Sequence, residues 1–408
     1  MIAADNKILT QTAMAEAARP LPAWTYSNAE LQPLEYQRLI LESWQIVCHV
    51  NQVKQPGDYA TLDLLSDSIF VMRGDDGEVR AFQNVCRHRG ARLLDGAGTC
   101  ARRLVCPYHG WTYDNTGRLA AVPAEGTFPG IDRSRLGLRQ VRHEVFMGFV
   151  FVRVVGDGPG VAEMWGDFAR HLEPYGFERM EPLSKLWTAV WNADWKVAVD
   201  NNLENYHIPL GHPGYQRMLR NQLESEINPH GVARSVSVLR DRPSPNWVER
   251  MYQKLAPSVF DNLGKELRRT WQFYSMPPNL GVDVYPDSMD FFQVLPLGPG
   301  KCLVRSAIYG LPDERREMRV LRYLNLRINR QVAAEDARLS TRVQAGLMSH
   351  GYEPGPLSDY EDALHQFHEL VRARLPVTRL AAAPRPGTLV ALDESLRAEA
   401  RAEQGPRL

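Results

Sequence analysis

From Trp44 to about residue 155 the chain runs in short apolar bursts, DSIFVMRG, EVRAFQNV, RRLVCPY and GFVFVRVV, broken by turns such as DDGE at 75–78 and DNTG at 114–117. Bursts of that length, rich in Val, Phe and Ile and punctuated by Gly, Asp and Asn, predict a small all-β domain. Ahead of it, YSNAELQPLEYQRLILESW places Asn28 where a helix N-cap belongs, with apolar residues at helical intervals after it. Beyond Gly156 the texture is mixed: strand-like runs (LWTAVWNADWKVAV, GVARSVSVLR, DFFQVLPLG, CLVRSAIYGL) alternate with helical stretches, the pattern of an α+β domain with an antiparallel sheet. Between about Pro312 and Met348, Leu321, Leu324, Ile328, Val332, Leu339, Val343 and Leu347 step by threes and fours, which predicts one long helix whose stripe packs on that sheet. No internal repeat is visible, and the Ala/Pro/Arg-rich end after Arg379 reads as a wrapped or loose tail. The expected division is an N-terminal segment (1–43) packing on the larger domain, a β domain (44–155), an α+β domain (156–380) and a tail (381–408).

Composition narrows the partners. A chain of 408 residues holds two or three compact domains, and Lys+Arg and Asp+Glu balance at 48 each, so neither a nucleic-acid-binding field nor an acidic solvating tail is indicated. A small molecule or another protein is expected instead. No apolar run approaches the ~18 residues of a membrane span, and MIAADNKILTQTAMAEAARP lacks the basic head and apolar stretch of a secretory signal, so a cytoplasmic protein is expected. Five cysteines are too few for a disulfide framework at this size. In a reducing compartment a clustered pair is better suited to binding metal. Cys48, Cys100 and Cys302 have no histidine at ligand spacing and read as ordinary thiols.

Cys86 and Cys106 differ from these. CRHRG at 86–90 is answered by CPYHGW at 106–111: Cys86-x-His88, seventeen residues, then Cys106-x-x-His109. One Cys and one His on each of two loops lets both thiolates face one iron and both imidazoles another, as a Rieske [2Fe–2S] centre requires. Gly90 and Gly110 follow the histidine positions closely enough to form tight turns with backbone N–H groups aimed inward. A Cys₂His₂ zinc site accepts the same ligands, but zinc fingers group the two Cys apart from the two His, whereas here they interleave.

A second constellation lies in DNNLENYHIPLGHPGY. His207 and His212 are five apart, which would splay them on an unbroken helix. Pro209 and Gly211 allow the helix to end near His207 and the turn to bring His212 back toward the same metal. A carboxylate would complete a 2-His-1-carboxylate triad with open positions for O₂ and substrate. In EDARLSTRVQAGL, Asp336 borders the apolar stripe and Glu335 lies on its other side, and periodicity alone does not choose between them.

Taken together, these motifs resemble the catalytic (alpha) subunit of Rieske non-heme iron oxygenases, the aromatic-ring-hydroxylating family, from Trp44 through Gln344-Ala345-Gly346-Leu347. The resemblance implies a Rieske domain holding the cluster with Cys86, His88, Cys106 and His109. It also implies a helix-grip domain, an antiparallel sheet around a long C-terminal helix, holding Fe(II) with His207, His212 and Asp336. Glu204, three residues before the first histidine, is implied to bridge to the His109 of a neighbouring copy in a head-to-tail homotrimer. Most ring-hydroxylating members carry Asp there. A Glu resembles the branch acting on quaternary ammonium compounds such as carnitine and betaines. Electrons are expected from NAD(P)H through a separate reductase, with or without a ferredoxin, since no GxGxxG fingerprint is present. An aromatic or related hydrophobic substrate is expected first, and monooxygenation or N-demethylation of a quaternary ammonium compound second. A Rieske electron carrier or a zinc-stabilised binding module would leave one constellation without a task. The aromatic segment WQFYSMPPNLGVDVYPDSMDFFQV is expected to line or back the pocket, or simply to be core.

Overall fold

The computed structural model describes residues 19–100, 103–221, 224–260 and 263–403. The expectations for the first eighteen residues and the last five lie outside it. The described chain forms two compact units, one of Leu41–Lys185 with Ala307–Pro312, the other of the remainder.

In the first unit, strands β1 (Gln45–His49), β2 (Asp58–Leu64), β3 (Asp67–Arg73), β4 (Val79–Gln83), β5 (Ala97–Thr99), β6 (Arg103–Val105), β7 (Thr112–Asp114), β8 (Leu119–Ala121), β9 (Gln140–Phe146) and β10 (Phe149–Arg153) make two antiparallel sheets. One has the order β1-β10-β9-β4-β3-β2-β5, the other β6-β7-β8. The Cys86 loop leaves β4 and the Cys106 loop joins β6 to β7. Both cysteines sit in a core with Phe70, Phe82, Trp111 and Tyr113. β11 (Glu181–Pro182) closes this unit against Tyr309 and Gly310.

The second unit is built on β12 (Trp187–Trp191), β13 (Leu219–Asn221), β14 (Glu226–Ile227), β15 (Ala233–Leu239), β16 (Thr270–Met276), β17 (Leu280–Val284), β18 (Met289–Gly298) and β19 (Lys301–Gly310), whose last residues from Ala307 onward are counted with the first unit. The order is β19-β18-β17-β16-β15-β13, with β12 on β19 and β14 on β15. β15 alternates buried and half-buried residues along its whole length, the period-two pattern of a strand with one face inward. At the N-terminal end, Asn28 Oδ1 accepts from the N–H groups of Glu30 and Leu31, just ahead of the helix Leu31–Glu35, whose N-cap position is Glu30 rather than the expected Asn28.

The long helix spans Arg316–Leu347, and its first half obeys the predicted stripe: Met318, Leu321, Leu324 and Ile328 are buried. The second half does not. Val343 is exposed, and the buried positions are Glu335, Ser340 and Gln344. The helix turns a polar face inward there because that face has polar work: Gln344 Oε1 accepts the Asp194 N–H at 2.7 Å, and Glu335 meets a histidine. After residue 380, Leu389–Glu403 is helical, with Leu389 and Asp393 buried and Asp393 paired to Arg38. Among the described residues no helix is long and apolar enough to cross a membrane.

Candidate metal centres

Asp194 caps the helix Trp195–Asn202 by accepting the Lys196 N–H. That helix ends at Asn202, five residues before His207, and His207 instead stands at the N-cap of a separate single turn, Ile208–Gly211. His212 ends this turn and begins the helix Pro213–Met218. The turn closes through Gly211 N–H to His207 O at 2.7 Å and His212 N–H to Ile208 O at 3.0 Å. Space is tight at Gly211: a Cβ there would lie 3.1 Å from the His207 ring and 3.0 Å from Leu339.

The turn brings both Nε2 atoms to one point. They lie 3.0 Å apart, and Asp336 Oδ1 sits 2.9 Å from His212 Nε2 and 3.6 Å from His207 Nε2. Among the described residues His207, His212 and Asp336 form a group whose donor atoms all lie within 4.8 Å of one another, close enough to share a single metal ion. Three donors at adjacent corners of an octahedron with bonds of about 2.1 Å stand about 3.0 Å apart, so the set fits one face of a mononuclear metal site. Asp336 Oδ1 is buried without an aligned hydrogen bond, as a ligand oxygen would be.

The outer nitrogens are also held. Glu204 Oε1 lies 2.6 Å from His207 Nδ1 and its Oε2 accepts the His207 N–H at 2.9 Å. Glu335 Oε2 lies 2.9 Å from His212 Nδ1, and Gln331 donates to its other oxygen at 2.9 Å. A carboxylate on each Nδ1 fixes the tautomer that turns Nε2 toward metal. Burial by itself lowers the His207 pKa, but Asp336 and Glu204 outweigh it and push it up to about 9; His212 is raised and Asp336 lowered in the same contest. The pocket favours positive charge. By distance, Asp336 rather than Glu335 meets the two Nε2 atoms, while Glu335, which periodicity left undecided, supports His212 from behind.

In the other unit the two loops repeat one hydrogen-bond design. Cys86 N–H donates to Ala91 O and Gly90 N–H to Cys86 O; Cys106 N–H donates to Trp111 O and Gly110 N–H to Cys106 O. Gly90 and Gly110 both adopt left-handed φ, +76° and +73°, which only glycine takes without strain. Cys86 and Cys106 are buried, and burial raises the Cys86 thiol. The His88 and His109 rings stand 4.7 Å apart, and His88 stacks on Trp111 at 4.9 Å. His88 Nδ1 is buried with no hydrogen-bond partner, and an imidazole so placed fits a cluster iron. His109 is exposed. One loop has an addition that spacing did not announce: the Tyr113 hydroxyl lies 3.3 Å from Cys86 Sγ and accepts the Arg87 N–H at 2.9 Å.

Comparisons with known proteins agree with both sites. Residues 43–139 match the Rieske [2Fe–2S] domain, and residues 177–376 match the ring hydroxylating alpha subunit (catalytic domain). Choline monooxygenase of Arabidopsis thaliana is 30% identical, the alignment covering 88% of this chain and 83% of that protein. The large oxygenase component of the 2,4-dinitrotoluene dioxygenase system of Burkholderia sp. (strain RASC) is 35% identical over 51% of this chain and 47% of its own length. The fold matches the solved quaternary ammonium Rieske monooxygenase CntA with a TM-score of 0.75 at 24% identity, over 89% of this chain and 97% of that one. The catalytic-domain match supports an oxygenase over a bare electron carrier. The chain belongs to the ring-hydroxylating alpha subunits, the Rieske non-heme iron oxygenases, which are oxidoreductases carrying a [2Fe–2S] cluster and a mononuclear iron to act on small molecules.

Proposed function

We infer that this chain is the terminal oxygenase of a system oxidising a quaternary ammonium compound, with His207, His212 and Asp336 as the iron ligands. Cys86, His88, Cys106 and His109 would hold the cluster. The observation that carries the ligand assignment is the convergence of two Nε2 atoms and one carboxylate oxygen on one point, with a second carboxylate behind each imidazole. Iron held there supplies the activation of O₂, using electrons relayed from the cluster. The chain's own residues keep the imidazoles oriented and the donors dry.

The substrate class is supported by the choline monooxygenase relative and by Glu at 204. An aromatic substrate is the second reading, favoured by the similarity to the dinitrotoluene dioxygenase component. Glu204 is assigned the electron-transfer bridge to the exposed His109 of a neighbouring copy in a trimer. Its oxygens already meet His207, but each carboxylate oxygen has a second lone pair to offer. Electrons would come from NAD(P)H through a separate reductase, with or without a ferredoxin. Iron and acid-labile sulfide content, with EPR of the reduced protein, tests the two centres: zinc at the second site, or no iron there, ends this assignment. Glu204→Gln is expected to keep both metals and lose most NADH-dependent turnover; unchanged turnover removes the bridge.

A further inference from the structure

Strands β17 and β18 carry two acids that the chemistry above leaves unused. Asp283 on β17 pairs in register with Asp290 on β18, and with Phe273 on β16 on its other side. The three form one row across the sheet. They are half-buried, while their neighbours Tyr274, Val282, Val284, Met289 and Phe291 on the opposite face are fully buried. The row therefore lies on the less buried face of these strands.

Their charges are out of balance. Elsewhere in this unit a buried carboxylate has its counterpart: Glu35 and Asp194 share Lys196, Glu249 takes Arg217, Asp393 takes Arg38, and Glu335 takes His212. Asp287, two residues beyond Tyr285, is hydrogen-bonded by Tyr252, Asn325 and Ser288. Asp283 and Asp290 share one phenol, Tyr285, whose hydroxyl is 3.3 Å from Asp283. Among the described residues no basic side chain acts on either. Burial holds Asp283 up at about 7, with Asp336 adding to it, and burial and Asp283 together hold Asp290 well above the usual range. Both hold a proton more tightly than an ordinary carboxylate.

Two further observations say what would replace those protons. Phe273, in register with Asp283, has its ring 6.3 Å from that of Tyr215, whose ring lies 5.7 Å from that of His212, so the row reaches toward the metal site. The row has an aromatic surround: Tyr215 meets Trp271 edge-on at 5.4 Å and Phe273 at 6.3 Å, and Trp271 meets Tyr285 at 4.6 Å. Paired carboxylates set among aromatic rings, beside a metal site whose remaining positions are open to substrate, suit an organic cation.

We propose that Asp283 and Asp290 bind the positive nitrogen of the substrate, so that the enzyme selects a cation with no acid group near that nitrogen, rather than a zwitterion. This rests on the oxygenase reading and names its specificity determinant. The positive end is held by the β17 and β18 carboxylates and the rest of the molecule reaches toward the iron.

The test is calorimetric binding to iron-loaded, full-length protein, without turnover. Choline and longer alkyl trimethylammonium alcohols are compared with their neutral tert-butyl isosteres and with glycine betaine. At least one cation is expected to bind about tenfold or more tighter than its isostere and than betaine. Asp283→Asn and Asp290→Asn should each erase most of that preference and leave the neutral alcohols unchanged, with Asp283→Glu recovering part of it. Equal binding of every cation and its isostere, tighter binding of betaine, or an unchanged preference in both Asn variants overturns the proposal. Should the variants not fold, proton release by the wild type decides: cation binding near pH 6.5 is expected to release protons from the pair, which also faces Asp336, Asp287, Tyr215 and Tyr285. No release, by comparison of two buffers, overturns it. Iron and cluster content on the same samples separates the cases, because missing iron sinks the oxygenase reading, whereas intact iron without cation preference sinks only this one.

Discussion

The proposed metal site divides residues that would touch the ion from residues that would aim them. Glu335 is of the second kind, and Glu335→Ala should weaken iron binding about 10- to 100-fold while the [2Fe–2S] content stays whole. Equilibrium iron titration with an optical readout of the cluster checks both halves of that expectation. Cys86, His88, Cys106, His109, His207 and His212 were legible because each pair is local, a few residues apart with a glycine to turn the chain. Glu335 was not, since its partner is 123 positions away and helix periodicity sees only its own face. Asp283 and Asp290 were hidden differently: the segment reads as aromatic core, and Trp271 and Phe291 are indeed fully buried, but the two acids become neighbours only once β17 and β18 are in register.

At the level of elements, the turn Ile208–Gly211 decides whether two histidines five apart can share an ion. Gly211→Ala brings opposing effects of similar size: better helix propensity, worth about 1 kcal/mol, and crowding of His207 and Leu339, costing about 1–3 kcal/mol. Global stability by urea denaturation should therefore change little, whereas iron affinity should fall because the ring that must yield is a donor. The long helix shows where periodicity works and where it ends. Its apolar first half was readable from Leu321, Leu324 and Ile328. Past Ile328 the buried face carries Glu335, Ser340 and Gln344, and a pattern built on apolar residues follows Val343 outward instead.

Across the whole molecule, buried charge sets the response to pH. Burial is the largest influence on Asp194 and holds it up at about 7 beside Lys196 and Glu35. Between about pH 4 and that value the folded state keeps a proton the unfolded chain has released, so stability falls as pH rises through the window and levels off above it. Urea midpoints from about pH 5 to about pH 7.5 should show that decline. They should show less of it in Asp194→Asn, which preserves an N-cap but cannot titrate. The two metal centres lie in units with separate cores, and the electron's passage between them depends on how readily the cluster lets it go. The paired loops are alike in backbone and unlike in one hydroxyl: Tyr113 reaches Cys86, and no counterpart is seen at Cys106 among the described contacts. A hydrogen bond to a cluster sulfur favours the reduced, more negative state. At about 1 kcal/mol it is worth about 40 mV in a one-electron couple. Tyr113→Phe should lower the cluster's reduction potential by that order in a redox titration, making it a stronger donor that is harder to reload, so the lone phenol sets how much driving force each arriving electron keeps for the iron.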